Sequence, residues 1–136
     1  MEDLKFTMWY VVFSAHNVRP TKIHTFLKYP FYHCYCFRQI GDYVYFADHT
    51  KANINTAIYQ DVTANELAHI LINENDNLVI LRIKIPIDFS NKNFNIWNML
   101  PTCVSTVKMF LGITNKAVTP YQLYRHLLKR GAKLIN

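Results

Sequence analysis

The first dense apolar run, Phe6-Thr7-Met8-Trp9-Tyr10-Val11-Val12-Phe13, is rich in aromatic and β-branched residues and predicts a buried strand. Asn17 to Pro30 scatters bases between two prolines and predicts a loop with about one turn of helix. Phe31 to Gln39 and Tyr43 to Asp48 read as two further strands, and the tight turn Ile40-Gly41-Asp42 between them makes a hairpin. At Thr63 the period changes. Thr63-Ala64-Asn65-Glu66 has the spacing of a capping box, and Leu67, Ile70 and Leu71 follow at helical intervals until Asn73 to Asn77 breaks the run. Leu78 to Pro86 opens as a continuous apolar run and ends in alternation, as a strand does when it passes from the interior of a sheet to its rim.

Ile87 to Pro101 reads as a long polar and aromatic loop that includes Phe94 and Trp97, and loops of that kind often lie over functional sites. A helix follows from Cys103 to about Leu111, with Gly112 placed to close it in the left-handed conformation. Thr119-Pro120-Tyr121-Gln122 supplies an N-cap, a proline at the first helical position and a glutamine at the third, so a last helix runs through Leu123, Leu127 and Leu128 to Gly131. Strand, hairpin, helix, strand, loop and two helices make an α+β domain with an antiparallel sheet packed against helices.

Composition adds bounds to that outline. The 136 residues are 51% hydrophobic, enough for a single domain over residues 1–136 with a core that needs neither disulfides nor metal. Three glycines and 15% aromatic residues favour short turns over a glycine-rich barrel. No apolar run approaches the roughly 18 residues of a membrane span, and acids stand at the start, in Met1-Glu2-Asp3-Leu4-Lys5, where a signal peptide carries bases, so the expectation is a soluble chain that is not exported. The net charge of +6 is concentrated at Arg19 to Lys28 and Lys129 to Lys133. Such an excess attracts nucleic acid or anionic surfaces, but it is diffuse enough to be a solvated basic face. Three cysteines, an odd number, argue for a reducing compartment over a disulfide framework. Cys34 and Cys36 share one strand face and could ligate a metal with a histidine, yet no second pair stands at zinc-site spacing, so no cofactor is expected.

Cys103 is the residue on which chemistry can be built. It falls where a proline-marked loop becomes an amphipathic helix, and the unpaired N–H groups and positive dipole end there favour thiolate over thiol. A base and an orienting carboxylate are available upstream in His33 and Asp48. If the hairpin turn is Gly41-Asp42, Ile40 pairs with Tyr43 and Tyr35 opposes Asp48, with His33 diagonal on the same face. If the turn is Ile40-Gly41, His33 opposes Asp48 directly; a one-residue bulge would separate them. Cys34 and Cys36 then point to the other face as small buried hydrophobes. A carboxylate beside an imidazole stabilises its protonated form, and an imidazole beside a thiol draws off the proton. Of the other histidines, His16 and His24 fall in the basic loop, His69 and His126 lie inside helices, and His49 follows Asp48 on the opposite face; surface or capping roles suit all five. His49 is the strongest rival base, because a bulge would exchange it with Asp48.

The block Pro101-Thr102-Cys103-Val104-Ser105-Thr106-Val107-Lys108-Met109-Phe110-Leu111-Gly112-Ile113 with Thr119-Pro120-Tyr121-Gln122-Leu123-Tyr124-Arg125-His126-Leu127 resembles the C-terminal half of small phage-encoded proteins. Those are related to circularly permuted papain-like cysteine peptidases of the NlpC type, in which the histidine strand precedes the cysteine helix. Phe31-Tyr32-His33-Cys34 and Tyr45-Phe46-Ala47-Asp48 match the upstream parts, and the resemblance covers roughly residues 30 to 130. It implies the order His33, Asp48, Cys103, a permuted papain-like fold, and a thiol hydrolase, peptidase or amidase, acting on an amide of a peptide or a peptidoglycan cross-link. Cys103 would attack the carbonyl, His33 would take and return the proton, Asp48 would orient His33, and the Cys103 N–H would help hold the oxyanion. One departure stands out: the family pattern has proline after the third residue, where this chain has His49. Such a protein would work in the phage virion or the host cytoplasm.

Two other readings remain at this point. A peptidase-like domain can be kept as a non-catalytic virion or tail component that binds other virion proteins, since fold does not guarantee catalysis. A nucleic-acid-binding module would use the basic segments and the tyrosines, but no helix-turn-helix, zinc finger or stacking motif supports it.

Overall fold

The computed structural model describes residues 6–15, 31–50, 53–86 and 102–135. The expected segments Asn17 to Pro30 and Ile87 to Pro101, with His16, His24, Phe94 and Trp97, lie outside them.

The elements in chain order are β1 (Phe6–Ser14), β2 (His33–Ile40), β3 (Tyr43–Thr50), β4 (Asn53–Tyr59), α1 (Ala64–Glu74), β5 (Leu78–Pro86), α2 (Cys103–Leu111), α3 (Pro120–Lys129) and β6 (Lys133–Ile135). The fold is α+β, with one six-stranded antiparallel sheet in the order β4-β3-β2-β1-β5-β6 and, among the described residues, three helices. β1 is paired on both sides, and its continuous apolar composition fits that: Val11, Val12 and Phe13 are fully buried.

Helices cover both faces. On one, α1 sets Ala64, Ala68 and Ile72 against Tyr10, Val12, Phe37, Val44 and Ile80. On the other, α2 and α3 bring Val104, Val107, Leu111, Leu123 and Leu127 onto Val11, Phe13, Cys34, Cys36, Ala47 and Leu81. Phe13, Phe31 and Tyr124 form an aromatic cluster within this second core, the Phe13 and Tyr124 rings meeting edge-on at 5.4 Å. None of the described helices is long and apolar enough to cross a membrane.

The hairpin takes the two-residue turn Gly41-Asp42, with Ile40 paired to Tyr43 and Cys36 to Ala47. β4 and β6 are additions to the sequence expectation. Asn53-Ile54-Asn55-Thr56 carries too much asparagine and too little alternation to announce a strand, and its backbone pairing with β3 decides its conformation. β6 is three residues at the other edge, held by β5.

α2 ends at Gly112 with φ 71° and ψ 30°, and the N–H groups of Gly112 and Ile113 close back onto the carbonyls of Met109 and Lys108. A Cβ at Gly112 would meet nothing within 4 Å, so the cost of a side chain there is conformational alone. Gly112→Ala should lower stability by about 1 kcal/mol, read as a lower urea midpoint at unchanged m-value.

One buried cation fixes the path from α2 to α3. Lys108 is 0% exposed, and its Nζ donates to the carbonyls of Asn115 at 3.0 Å and Ala117 at 2.8 Å. Burial pushes its pKa down. Within the sequence it reads as one more base on an amphipathic helix, and nothing in its spacing reveals that it is wrapped by the following turn.

Candidate active site

Cys103 owes its position to the way α2 starts. Thr102 is the N-cap, with its Oγ1 accepting from the Ser105 N–H at 3.1 Å, and the Ser105 Oγ accepts from the Thr102 N–H at 3.0 Å. This reciprocal box satisfies the Ser105 amide and makes Cys103 the first helical residue, beside the positive end of the helix. The thiol is partly exposed while the three residues after it are buried in the core.

His33 opens β2, and Asp48 lies near the far end of β3. β3 pairs with β4 without a bulge, Asp48 facing Asn55 and His49 facing Ile54, so Asp48 keeps the same parity as Phe46. His33 Nε2 and Asp48 Oδ1 are 2.6 Å apart, a short charge-assisted contact between side chains that are 23% and 19% exposed. Tyr35 packs next to the imidazole with ring centroids 6.0 Å apart, and burial pushes its hydroxyl up so that it stays neutral beside the pair.

The helix docks on the hairpin, on the face of Cys34, Cys36 and Ala47. His33 has the opposite parity, yet it stands at the very start of its strand. The α2 N-terminus lies over that strand end, where Cys103 meets both Cys34 and His33. Hydrogen bonding from the Cys34 side chain, then from His33 and the Cys34 backbone, together with the charge on His33, outweighs burial and pulls the Cys103 thiol down to about 4. Hydrogen bonds to Asp48 and to Cys103, with the charges of both, overcome burial and raise His33 to about 9. Between those values the pair exists as thiolate and imidazolium. Because Nε2 is engaged by Asp48, the ring nitrogen left to exchange a proton with Cys103 is Nδ1.

Cys34 and Cys36 are fully buried on the expected face, and burial pushes both thiols up. Cys34 differs from the expectation in one respect: it is not merely filling space, since it touches the Cys103 sulfur. Strand parity put it out of reach of the imidazole, and only the docking of α2 over the strand end brings all three groups together. His49 departs from its surface assignment and is buried at 8% exposure. His126 is partly exposed in the last turn of α3, with its Nε2 atom buried and lacking a hydrogen-bond partner. His69 is exposed on α1 as expected. Among the described residues no group of three or more His, Cys, Asp or Glu is arranged to hold a metal ion.

No protein-family model, curated protein or solved structure matches this chain.

Proposed function

We propose that this chain is a thiol hydrolase, a peptidase or amidase of permuted papain-like, NlpC-type architecture, in which Cys103 is the nucleophile, His33 the proton carrier and Asp48 the residue that orients His33. The observation that carries the reading is the lowered Cys103 thiol beside a raised, carboxylate-bound His33. Structural cysteines are inert because burial keeps them protonated, whereas a partly exposed thiolate at a helix N-terminus next to an imidazolium is prepared for attack. Support also comes from the order His33, Asp48, Cys103 and from a cysteine helix packed on the strands that bear the other two.

The chemistry follows from the pair. The Cys103 thiolate adds to an amide carbonyl, and the negative charge that develops on oxygen is met by the Cys103 N–H at the end of the helix. Imidazolium Nδ1–H then protonates the departing amine, leaving a thioester on Cys103 and a neutral His33. Water enters, gives a proton to Nδ1 and attacks the thioester, and the acid product leaves as the thiolate returns. Asp48 holds Nε2–H throughout, so the ring keeps one orientation in both protonation states. The substrate is an amide of a peptide or a peptidoglycan cross-link, and the reading carries with it a location in a phage particle or the host cytoplasm.

The test is the pH dependence of alkylation. Iodoacetamide should modify Cys103 at a nearly constant rate from about pH 5 to pH 8, while an ordinary cysteine gains about tenfold per unit below its pKa. Cys34 and Cys36 should lag far behind. A Cys103 rate that climbs tenfold per unit through pH 7 would overturn the assignment.

A non-catalytic part in a virion or tail is favoured by a different surface. Among the described residues β4 is an edge strand of the sheet, and it exposes Ile54, Ile58 and Tyr59, with Ile40 and Tyr43 exposed on the hairpin. That reading, binding other virion proteins, predicts an unreactive Cys103 in the same alkylation series.

A further inference from the structure

The mechanism above uses one of the two sulfurs at the site. Cys34 is fully buried on the strand face where α2 packs, belongs to the core cluster against which Cys103 packs, and its side chain hydrogen-bonds to that of Cys103. Cys36, two residues along the same strand face and equally buried, belongs to the same cluster but does not act on the Cys103 thiol. A cysteine chosen only to fill a small apolar space gains nothing from facing a nucleophilic sulfur. Two sulfurs that face each other, one a partly exposed thiolate and the other shielded from solvent, are the arrangement of an attacking and a resolving thiol.

We infer that Cys34 and Cys103 form a reversible oxidation site, in which a hydroperoxide converts Cys103 to a sulfenic acid and Cys34 resolves it as an intramolecular disulfide. In the first step the Cys103 sulfur attacks one peroxide oxygen, the O–O bond breaks, and the departing oxygen takes a proton to leave as alcohol or water. Cys103 now carries S–OH, and the peroxide has accepted the two electrons. In the second step the Cys34 sulfur attacks the Cys103 sulfur, the S–O bond breaks, and the released hydroxide combines with the Cys34 proton as water. The solvent side of Cys103 meets the oxidant while the core side meets Cys34. The resolving thiol therefore needs no opening of the sheet to reach its partner. Because Cys34 is held protonated by burial, it does not compete for the peroxide, and the order of the two steps is set by the site.

For the hydrolase the consequence is a protected, recoverable off-state: the nucleophile is stored as a disulfide instead of advancing to sulfinic acid. That consequence rests on Cys103 being the nucleophile, but the cross-link does not, and it is read without any substrate. The reduced protein is treated with hydrogen peroxide, quenched by alkylation, and mapped by peptide mass spectrometry with and without dithiothreitol. The expected result is a Cys34–Cys103 linked peptide lighter by the mass of two hydrogens, with recovery of alkylatable Cys103 on reduction. In Cys34→Ser, dimedone should trap the sulfenic acid on Cys103, and without dimedone prolonged peroxide should leave less than about a tenth of Cys103 recoverable by dithiothreitol. Cys36→Ser should behave like the unsubstituted protein. Wild-type protein that yields dimedone-labelled or sulfinic Cys103 with no Cys34 cross-link overturns the inference, as does a cross-link that runs to Cys36 instead. If the cross-link forms in a protein that hydrolyses no amide, the oxidation site stands and the hydrolase reading falls.

Discussion

In the proposed thiol hydrolase, Cys103→Ala should abolish amide hydrolysis, lowering kcat by about 10⁴-fold or more, because the other sulfur at the site, Cys34, is buried and held protonated. Unfolded polypeptide and purified peptidoglycan are the substrates to assay, with new amino termini as the readout. Cys103→Ser should fall nearly as far, since a hydroxyl in the same place is not ionised by its neighbours. His33→Ala removes the acid that the leaving amine needs and also the imidazolium beside the thiolate, so it should reach a similar floor. The double variant should then be hardly worse than either single one, since the two groups act as a unit. Asp48→Asn keeps an acceptor near Nε2 but discards the charge that helps hold His33 at about 9, so a smaller loss is expected.

The pH profile of hydrolysis should be a bell whose limbs belong to the pair, rising as Cys103 ionises near 4 and falling as His33 loses its proton near 9. Full hydrolysis by Cys103→Ser, or a profile with one limb near neutrality, would remove the basis of the mechanism.

Lys108→Met should lower stability strongly although the residue lies outside the site, costing about 2 to 3 kcal/mol. The methionine matches the stem in volume, so little packing is lost, and removing a buried charge is favourable in isolation. What dominates is that the Asn115 and Ala117 carbonyls lose their shared donor, the second of them on a buried residue. In a domain of this size each kcal/mol moves Tm by roughly 3 to 5 °C, so a drop of about 6 to 15 °C is expected by calorimetry. A shift below about 2 °C would mean that the turn from Gly112 to Val118 can settle without the lysine.

The structure takes the Gly41-Asp42 turn, but the shared face of His33 and Asp48 was within reach of strand parity alone, because side chains alternate with period two and both possible turns keep the two on one side. Lys108 was not, because its partners are backbone carbonyls of a turn with no distinctive residue chemistry. The helix of Cys103 was legible from Gly112 and from its periodicity, and the helix after it from Thr119-Pro120. β4 escaped because an edge strand with both faces largely exposed has no buried side to print a pattern on the chain. The burial of His49 is not legible in alternation, which names the opposite face without saying what covers it.

Local chemistry in the chain was enough to specify three capped helices, a hairpin in which either reading of the turn puts His33 and Asp48 on one face, and a thiol at a helix start, since each depends on residues a few positions apart. Where α2 would dock depended on contacts across some seventy positions, between Val104, Val107 and Leu111 on one side and Cys34, Cys36 and Ala47 on the other. Nothing in either segment names the other, because apolar surface is buried without regard to its partner's identity. The meeting of Cys103 with His33 and Cys34 at the end of β2, and with it the ionisation of the thiol, is therefore a property of the folded sheet and helix together.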